Sequence, residues 1–173
     1  MVVTLLASMV VGFQTYNPTG TQILVQFDNG KSFVIATDPK NSPKTTKRVL
    51  ELVKSKFYDG QRFHRVEGWV VQWGDPVSKK SIEGAGRSGS GKNMEFEGSV
   101  APFTRGTVGV ASTGARVGGD SQLFVVKNDS RFLDADYAVV GKVVKGMDVV
   151  DQIKQGDRIT KITVVAAKAK GKK

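Results

Sequence analysis

Two apolar runs on either side of a turn open the regular part of the chain, between residues 21 and 36. Asn29-Gly30 lies between them and favours a β-hairpin, because both residues tolerate positive φ. Further short runs of β type follow Gly60 and are broken by glycine. They are residues 63–66, 69–73, 107–111, 122–126, 138–144 and 159–165. Many short strands with few helices predict a barrel or a sandwich.

Two segments carry apolar residues at helical spacing instead. Ser42-Pro43 begins the first, since serine caps a helix and proline suits its first position. The apolar side of this helix is predicted to hold Val49, Leu50, Val53 and Phe57, and Asp59-Gly60 is predicted to end it. A shorter helix is predicted at residues 147–155. The glycine-rich stretch 75–98 has neither pattern, which predicts a long surface loop.

Length and composition fit a single globular domain. The chain has 173 residues, of which 39% are hydrophobic and 24% charged, and it has no apolar run long enough for a transmembrane helix. We predict an N-terminal extension or leader-like segment at 1–20, a domain at 21–166 and a basic tail at 167–173. The first segment lacks the basic start of a standard signal peptide. The compartment stays open: cytoplasmic, or extracytoplasmic if residues 1–20 are the remnant of a leader.

Residue counts exclude several chemistries. The chain has no cysteine and one histidine, His64, which excludes disulfides, thiol nucleophiles and multi-histidine metal sites, and we predict neither a metal nor a cofactor. The net charge of +10 is spread over the first predicted helix and the tail, so a solvated surface is favoured and nucleic-acid binding is the weaker alternative. Residues 86–92 match the start of a phosphate-binding loop. Asn93 stands where such a loop needs serine or threonine, and no apolar strand precedes Gly86. We therefore reject a nucleotide site.

The most informative stretch is residues 63–75, FHRVEGWVVQWGD. Alternation places Phe63 and Arg65 on one face of a strand, and Gln72 comes near Arg65 if the chain folds back at Gly68. An arginine and a glutamine among aromatic residues predict an apolar pocket with a few fixed donors, as in sites for small ligands or peptides. The alternative is an arginine that only anchors strands. His64 lies between Phe63 and Arg65 and is the chain's single histidine. We interpret it as a structural residue rather than as a general base.

This stretch resembles the signature F-H-R-x-x-x-G-F-x-x-Q-G-G-D of the cyclophilins. The chain continues in that family's order with GVAS at 109–112, GDSQLF at 119–124 and FLDADYAVVGKV at 132–143, so the resemblance covers roughly residues 21–165. It implies a mainly β fold, a closed eight-stranded antiparallel β-barrel capped by two α-helices. It also implies a monomeric peptidyl-prolyl cis-trans isomerase that assists folding by acting on proline-containing peptides and unfolded protein clients.

The resemblance also implies roles for individual residues. Arg65 stands at the position of the family's catalytic arginine. The substrate-binding positions fall on Trp69, Val70, Gln72, Ala111, Ser112, Gln122, Phe124, Phe132, Leu133 and Tyr137, with the backbone of Ala111 and Ser112 pairing with the substrate. The chain departs from the commonest family pattern at Trp69, Val70, Trp73, Ser112, Phe132 and Tyr137. We expect these departures to reshape the proline pocket and its flanks, and a binding module without activity is the alternative to an enzyme.

Overall fold

The structure, a computed structural model, describes residues 15–165. The predicted leader-like segment lies outside the described residues up to position 14, and so does the whole predicted tail at 167–173. Eight strands and two α-helices occur in the described range, together with short 3₁₀ helices at Pro76–Lys79 and Arg131–Leu133. The elements are β1 Gln22–Phe27, β2 Ser32–Thr37, α1 Pro43–Lys54, β3 Arg65–Val66, β4 Val70–Trp73, β5 Thr107–Val110, β6 Leu123–Val126, β7 Val139–Lys145, α2 Met147–Asp151 and β8 Ile159–Val164.

The strands form one antiparallel sheet in the order β3-β4-β6-β5-β7-β2-β1-β8. The predicted closed barrel is wrong: the ladder is open between β3 and β8, and the sheet forms a half-barrel. The reason is the length of β3, which has two residues, both paired with β4. The chain just before β3 approaches β8 only through an isolated bridge between Arg62 and Arg158 and a few neighbouring backbone hydrogen bonds.

The predicted hairpin and helices are present with shifted ends. In the β1–β2 turn only Gly30 adopts positive φ, and the Asn29 side chain accepts a hydrogen bond from the Lys31 N–H. Helix α1 begins at Pro43 as expected but ends at Lys54, well before Asp59-Gly60, and α2 ends at Asp151. No helix in the range 15–165 is long and apolar enough to cross a membrane.

Ser42 precedes α1 as predicted, but its side chain makes no capping hydrogen bond. The carboxylate of Glu97 does this instead. It accepts hydrogen bonds from the amides of Lys44 at 3.1 Å and Thr45 at 2.7 Å. A negative group at the first turn also suits the helix dipole. The cap of α1 therefore comes from a residue far along the chain, which no local motif indicates.

Two apolar clusters lie on opposite sides of the sheet. The larger one fills the interior, where Phe63 and Trp73 pack with ring centroids 5.4 Å apart. The smaller one lies on the outer side and includes Val70, Phe103, Phe124 and Leu133. Because β4 contributes Val71 and Trp73 to the first cluster and Val70 to the second, alternation along one strand serves both.

The long loop at residues 80–106 is held against the domain by carboxylates. Asp75 is fully buried and accepts hydrogen bonds from the amides of Val77, Gly86 and Ser88. Asp120 accepts from the Ser90 hydroxyl and from the Gly91 amide at 2.8 Å. The amides of Gly86, Ser88 and Gly91 belong to the segment that resembles a phosphate-binding loop. They donate hydrogen bonds to carboxylates of the protein itself, so the loop is fixed in place beside the sheet.

Candidate active site

A cavity of about 140 Å³ opens on the outer side of the sheet, beside the smaller cluster. A cavity of about 150 Å³ is large enough to hold a benzene molecule, so this one fits a five-membered ring. Its lining comes from β3, β4 and β6, from the turn between β3 and β4, from the segment after β5, and from the second 3₁₀ helix and the residues that follow it. The lining residues are Arg65, Trp69, Val70, Gln72, Ala111, Ser112, Phe124, Leu133 and Tyr137.

Arg65 is held from two directions. Its Nε donates to Glu67 Oε1 at 2.7 Å, and its Nη1 donates to Gln72 Oε1 at 3.3 Å. The register explains the second contact, since Arg65 lies directly opposite Gln72 across the β3–β4 pair. The chain thus folds back near Gly68 as predicted. Because a guanidinium has five N–H groups, three stay available to a ligand.

Glu67 also contacts the aromatic residue at the mouth of the cavity. Its Oε2 accepts a hydrogen bond from Trp69 Nε1 at 2.9 Å, and the Arg65 guanidinium carbon lies 5.5 Å from the Trp69 ring centroid. The hydrogen bond from Arg65 lowers the pKa of Glu67, so its carboxylate is ionised at neutral pH. A closed triangle of cation, carboxylate and indole therefore borders the cavity.

A chain of amides leads from Arg65 to the long loop. Gln72 Nε2 donates to Gln122 Oε1 at 2.8 Å, and Gln122 Nε2 donates to the Ser88 carbonyl oxygen at 2.8 Å. Gln122 does not line the cavity itself. It lines a neighbouring groove together with Gln72, Ala111 and Ser112. The orientation of Arg65 is thus coupled to a loop that Asp75 and Asp120 hold in place.

Aromatic packing forms the floor of the cavity. Phe124 stacks on Phe103 with ring centroids 5.6 Å apart and meets Tyr137 edge-on at 5.9 Å. Gly109 lies beneath both phenylalanines, and a Cβ atom at that position would lie only 2.5 Å from Phe124 Cζ. A glycine is therefore required here for the ring of Phe124 to reach the floor.

The structure brings most of the predicted site residues together. Arg65 and eight of the ten predicted binding residues line the cavity, whereas Gln122 and Phe132 do not. Phe132 is 70% exposed and meets Trp69 edge-on at 5.4 Å, so it extends the aromatic rim. Trp73 was expected to reshape the pocket, and this is wrong: it is fully buried in the interior core, because it alternates with Gln72 along β4.

The segment before β3 differs from the prediction. Phe63 points into the interior core, whereas Arg65 lines the outer cavity, so the two do not share a face. The strand begins only at Arg65, and the alternation expected from residue 63 does not apply to irregular backbone. His64 between them is buried, and burial lowers its pKa against the opposing effect of Asp75. A neutral, enclosed imidazole suits the structural interpretation.

Three contributors to the site were missed from sequence: Glu67, Phe103 and Gly109. Glu67 carried a signal, since a carboxylate two residues from Arg65 lies on the same side of a strand. Phe103 carried none, because it comes from the irregular loop. Within residues 15–165 no group of three or more acidic or histidine side chains is placed to hold a metal ion.

Comparison with known proteins agrees with this arrangement. Residues 23–169 match the family model described as cyclophilin type peptidyl-prolyl cis-trans isomerase/CLD. A probable peptidyl-prolyl cis-trans isomerase of Brucella abortus is 37% identical over 168 residues, which cover 87% of this chain and 85% of that protein. The human peptidyl-prolyl cis-trans isomerase-like 3 is 36% identical over 122 residues, covering 67% of this chain and 71% of that protein.

Solved structures give the same fold. A crystal structure of a Cryptosporidium parvum cyclophilin type isomerase aligns with a TM-score of 0.74 at 21% identity, covering 86% of this chain and 99% of that one. A second structure of that protein, determined in the presence of the dipeptide Ala-Pro, aligns with a TM-score of 0.72. The extent of the family match and the identity to its bacterial members decide the assignment: the chain belongs to the cyclophilin-type peptidyl-prolyl cis-trans isomerases.

Proposed function

We propose that this isomerase binds the proline of an X-Pro peptide in the outer cavity and that Arg65 is its catalytic residue. One observation carries the proposal. The Arg65 guanidinium is fixed by Glu67 and Gln72 at the edge of a cavity that has an apolar floor and a volume that fits a proline ring. Among residues 15–165 its Nη2 group has no hydrogen-bond partner, so it can donate to a substrate.

The reaction needs no bond to be made or broken. Rotation about an X-Pro bond faces a barrier of about 18–20 kcal/mol, because amide resonance is lost in the twisted state. In that state the prolyl nitrogen regains a lone pair, which a guanidinium N–H can bind. A donor that meets this nitrogen only in the twisted state lowers the barrier without stabilising either planar isomer. A rate increase of about five decades requires about 7 kcal/mol of such differential stabilisation.

The apolar lining holds the ring while the amide turns. Phe124 and Leu133 are almost fully buried at the floor, and Val70 and Tyr137 close the sides. Trp69 and Phe132 extend the apolar surface outward along the peptide, where Phe132 replaces the family's usual tryptophan. With the ring fixed, rotation moves the residue that precedes proline.

The backbone at the end of β5 offers pairing to the peptide. The Ala111 N–H already donates to the Gln122 carbonyl at 2.9 Å, so a substrate would pair with the Ala111 carbonyl or with the amide of Ser112. The Ser112 hydroxyl donates to the Gly114 carbonyl at 2.7 Å and so holds the following turn. Gln122 would contact the peptide from the adjoining groove.

The substrates are proline-containing segments of peptides and of unfolded protein clients. The cavity lies on the outside of the sheet and admits one ring, and an open groove that shares Gln72, Ala111 and Ser112 with it can take the next part of an extended chain. The related structure determined with Ala-Pro supports a minimal recognition element of this size. The cavity lining comes from a single chain, and we propose that the protein acts as a monomer.

The test compares cis-trans exchange of a short X-Pro peptide, measured by NMR, for the wild type and for Arg65→Ala and Arg65→Lys. Loss of one preorganised donor reduces kcat by about 10²- to 10³-fold. Lysine keeps the charge but not the planar fork, so most of the loss is expected to remain. Arg105→Ala is the matched control: Arg105 is 45% exposed and paired with Asp151, as Arg65 is 43% exposed and paired with Glu67.

The result that contradicts the proposal is exchange at the wild-type rate in Arg65→Ala. With peptide binding intact, that outcome would assign catalysis to another residue. If the wild type itself does not accelerate the exchange, the chain would be a binding module on an isomerase scaffold. Equal losses in Arg65→Ala and Arg105→Ala would indicate a general effect of removing surface arginines.

A further inference from the structure

Glu67 is the only acidic residue in the triangle at the mouth of the cavity, and each of its oxygens serves a different partner. Oε1 accepts from Arg65 and Oε2 from Trp69. Glu67-Gly68-Trp69 forms the turn between β3 and β4, and Trp69 in this turn is one of the departures from the family signature. The carboxylate therefore links the proposed catalytic group to the aromatic rim.

The backbone beneath this carboxylate is itself fixed. The Glu67 N–H donates to the Val70 carbonyl at 2.8 Å, and the Lys127 ammonium donates to the Glu67 carbonyl oxygen at 3.2 Å. The adjacent Trp69 carbonyl accepts from the Lys127 amide at 2.7 Å. A side chain that starts from a braced turn has little freedom left once both of its oxygens are engaged.

Arg65 needs such support because its side chain is 43% exposed. A half-exposed arginine without partners samples many rotamers, and holding it in one of them costs side-chain entropy. Gln72 bonds only Nη1, at the long distance of 3.3 Å, so a single weak contact would let the guanidinium swing about that point. The Glu67 contact on Nε, at 2.7 Å, supplies the second point that defines an orientation.

Resting on the proposed role of Arg65, we infer that Glu67 is a positioning residue. It holds the guanidinium and the Trp69 indole in one arrangement before the substrate enters. Glu67 itself does not line the cavity. Its effect on the reaction therefore passes through Arg65 and Trp69. Catalysis by a preorganised donor predicts that loosening this arrangement lowers kcat more than it raises KM.

The test uses Glu67→Gln, which keeps the shape and removes the charge, with kcat and KM measured separately at saturating and limiting X-Pro peptide. We expect kcat to fall about tenfold with KM changed less than twofold. Trp69→Phe keeps an aromatic ring and removes the donor to Oε2, and we expect a smaller fall of two- to threefold. Asp151→Asn is the matched control, since Asp151 is 39% exposed and paired with Arg105 as Glu67 is 45% exposed and paired with Arg65.

Side-chain NMR signals report the contact directly. The chain has two tryptophans, so two indole N–H signals are expected, and Trp73, buried in the core, serves as an internal reference. In Glu67→Gln the Trp69 indole signal and the Arg65 Nε–H signal are expected to shift while that of Trp73 stays. In Asp151→Asn the Trp69, Trp73 and Arg65 signals are expected to match those of the wild type.

Two outcomes would overturn the inference. Unshifted Trp69 and Arg65 signals in Glu67→Gln would show that the contact is not made in solution. Shifted signals with wild-type kcat would show that the contact is made but does not position the arginine for catalysis. Neither touches the proposed role of Arg65, which stands or falls on Arg65→Ala. If Glu67→Gln does not fold, Trp69→Phe with the Arg65 Nε–H signal decides the question in the same way.

Discussion

On the inner side of strand β4, Val71 and Trp73 are completely buried in the interior core, whereas on its outer side Val70 and Gln72 border the cavity. The inner contacts are aromatic and aliphatic throughout. The outer side combines an apolar floor with polar groups that bond one another, from Arg65 through Gln72 to Gln122. Four consecutive residues thus supply two different environments.

The difference follows from how the two sides are completed. The inner side is closed by other strands, so volume and shape decide its contribution, and its substitutions are expected to change the free energy of unfolding. The outer side is filled only when a substrate binds. Its hydrogen-bond donors are therefore held in place by neighbouring side chains while some of their N–H groups stay free for the substrate. Substitutions there are expected to change rates.

The largest effect is expected from Trp73→Ala on the inner side. The substitution removes an indole packed against Phe63 and Phe33, and large-to-small changes of this kind cost about 3–5 kcal/mol. Urea unfolding measures the loss, and the rate per folded molecule is expected to stay near that of the wild type. Trp73→Phe is the control, because it keeps an aromatic ring and removes an indole N–H that is buried and has no hydrogen-bond partner among residues 15–165. A folded Trp73→Ala protein that has lost its activity would break the separation between the two sides.

Gly109→Ala changes the packing under the cavity floor on the outer side without changing any charge. A methyl group at this position would lie 2.5 Å from Phe124 and 2.8 Å from Phe103, so both rings must move. Overpacking of this kind costs about 1–3 kcal/mol. Because Phe124 forms the cavity floor, we expect KM for the peptide to rise about tenfold while the protein still folds. Unchanged KM would show that the floor yields without closing the cavity.

The sequence predicted the strands, both helix positions and the fold-back that pairs Arg65 with Gln72, since all of these follow from local periodicity or from glycine at a turn. The prediction of which face a side chain lies on failed where the first residue of a strand was not known. Phe63 was assigned the side of Arg65 because a strand was assumed to begin two residues early. Trp73 was counted among the changes that reshape the pocket and its flanks, because the family pattern names positions but not the face on which a new side chain lies.

Other features depend on contacts between distant parts of the chain. The helix cap from Glu97, the packing of Phe103 under Phe124 and the anchoring of the long loop by Asp120 join segments that no local pattern connects. The open edge of the sheet depends on the two-residue length of β3, which sequence runs overestimated. The roles of the site residues rest on family resemblance and geometry, and the substitutions described above are their direct test.

Gln72→Leu is expected to have a smaller effect, confined to the outer side. It removes the acceptor for Arg65 and the donor to Gln122, while leucine fills a similar volume. A hydrogen bond contributes about 0.5–1.5 kcal/mol, so kcat/KM is expected to fall about three- to tenfold with little change in stability. The neighbouring inner residue provides the opposite case: Val71→Ala is expected to cost about 2 kcal/mol in stability and leave kcat/KM unchanged. Equal patterns in the two variants would contradict a separation by face.

His64 lies at the boundary between Phe63 on the inner side and Arg65 on the outer side, and its titration assigns it to one or the other. Burial lowers its pKa below the usual 6.5, opposed by the carboxylate of Asp75, while the charge of Arg65 also lowers it. The unfolded chain therefore binds more protons than the folded one as the pH falls below about 6.5. Stability is expected to be highest above that pH and to decrease on acidification, with a slope below the single-proton ceiling of about 1.4 kcal/mol per pH unit.

His64→Gln should flatten the dependence of Tm on pH between about pH 7 and 5.5. Since the chain has no other histidine, the difference between the two proteins isolates this group. If kcat/KM rather than Tm follows this titration and the dependence disappears in His64→Gln, then His64 belongs with Arg65 on the functional side.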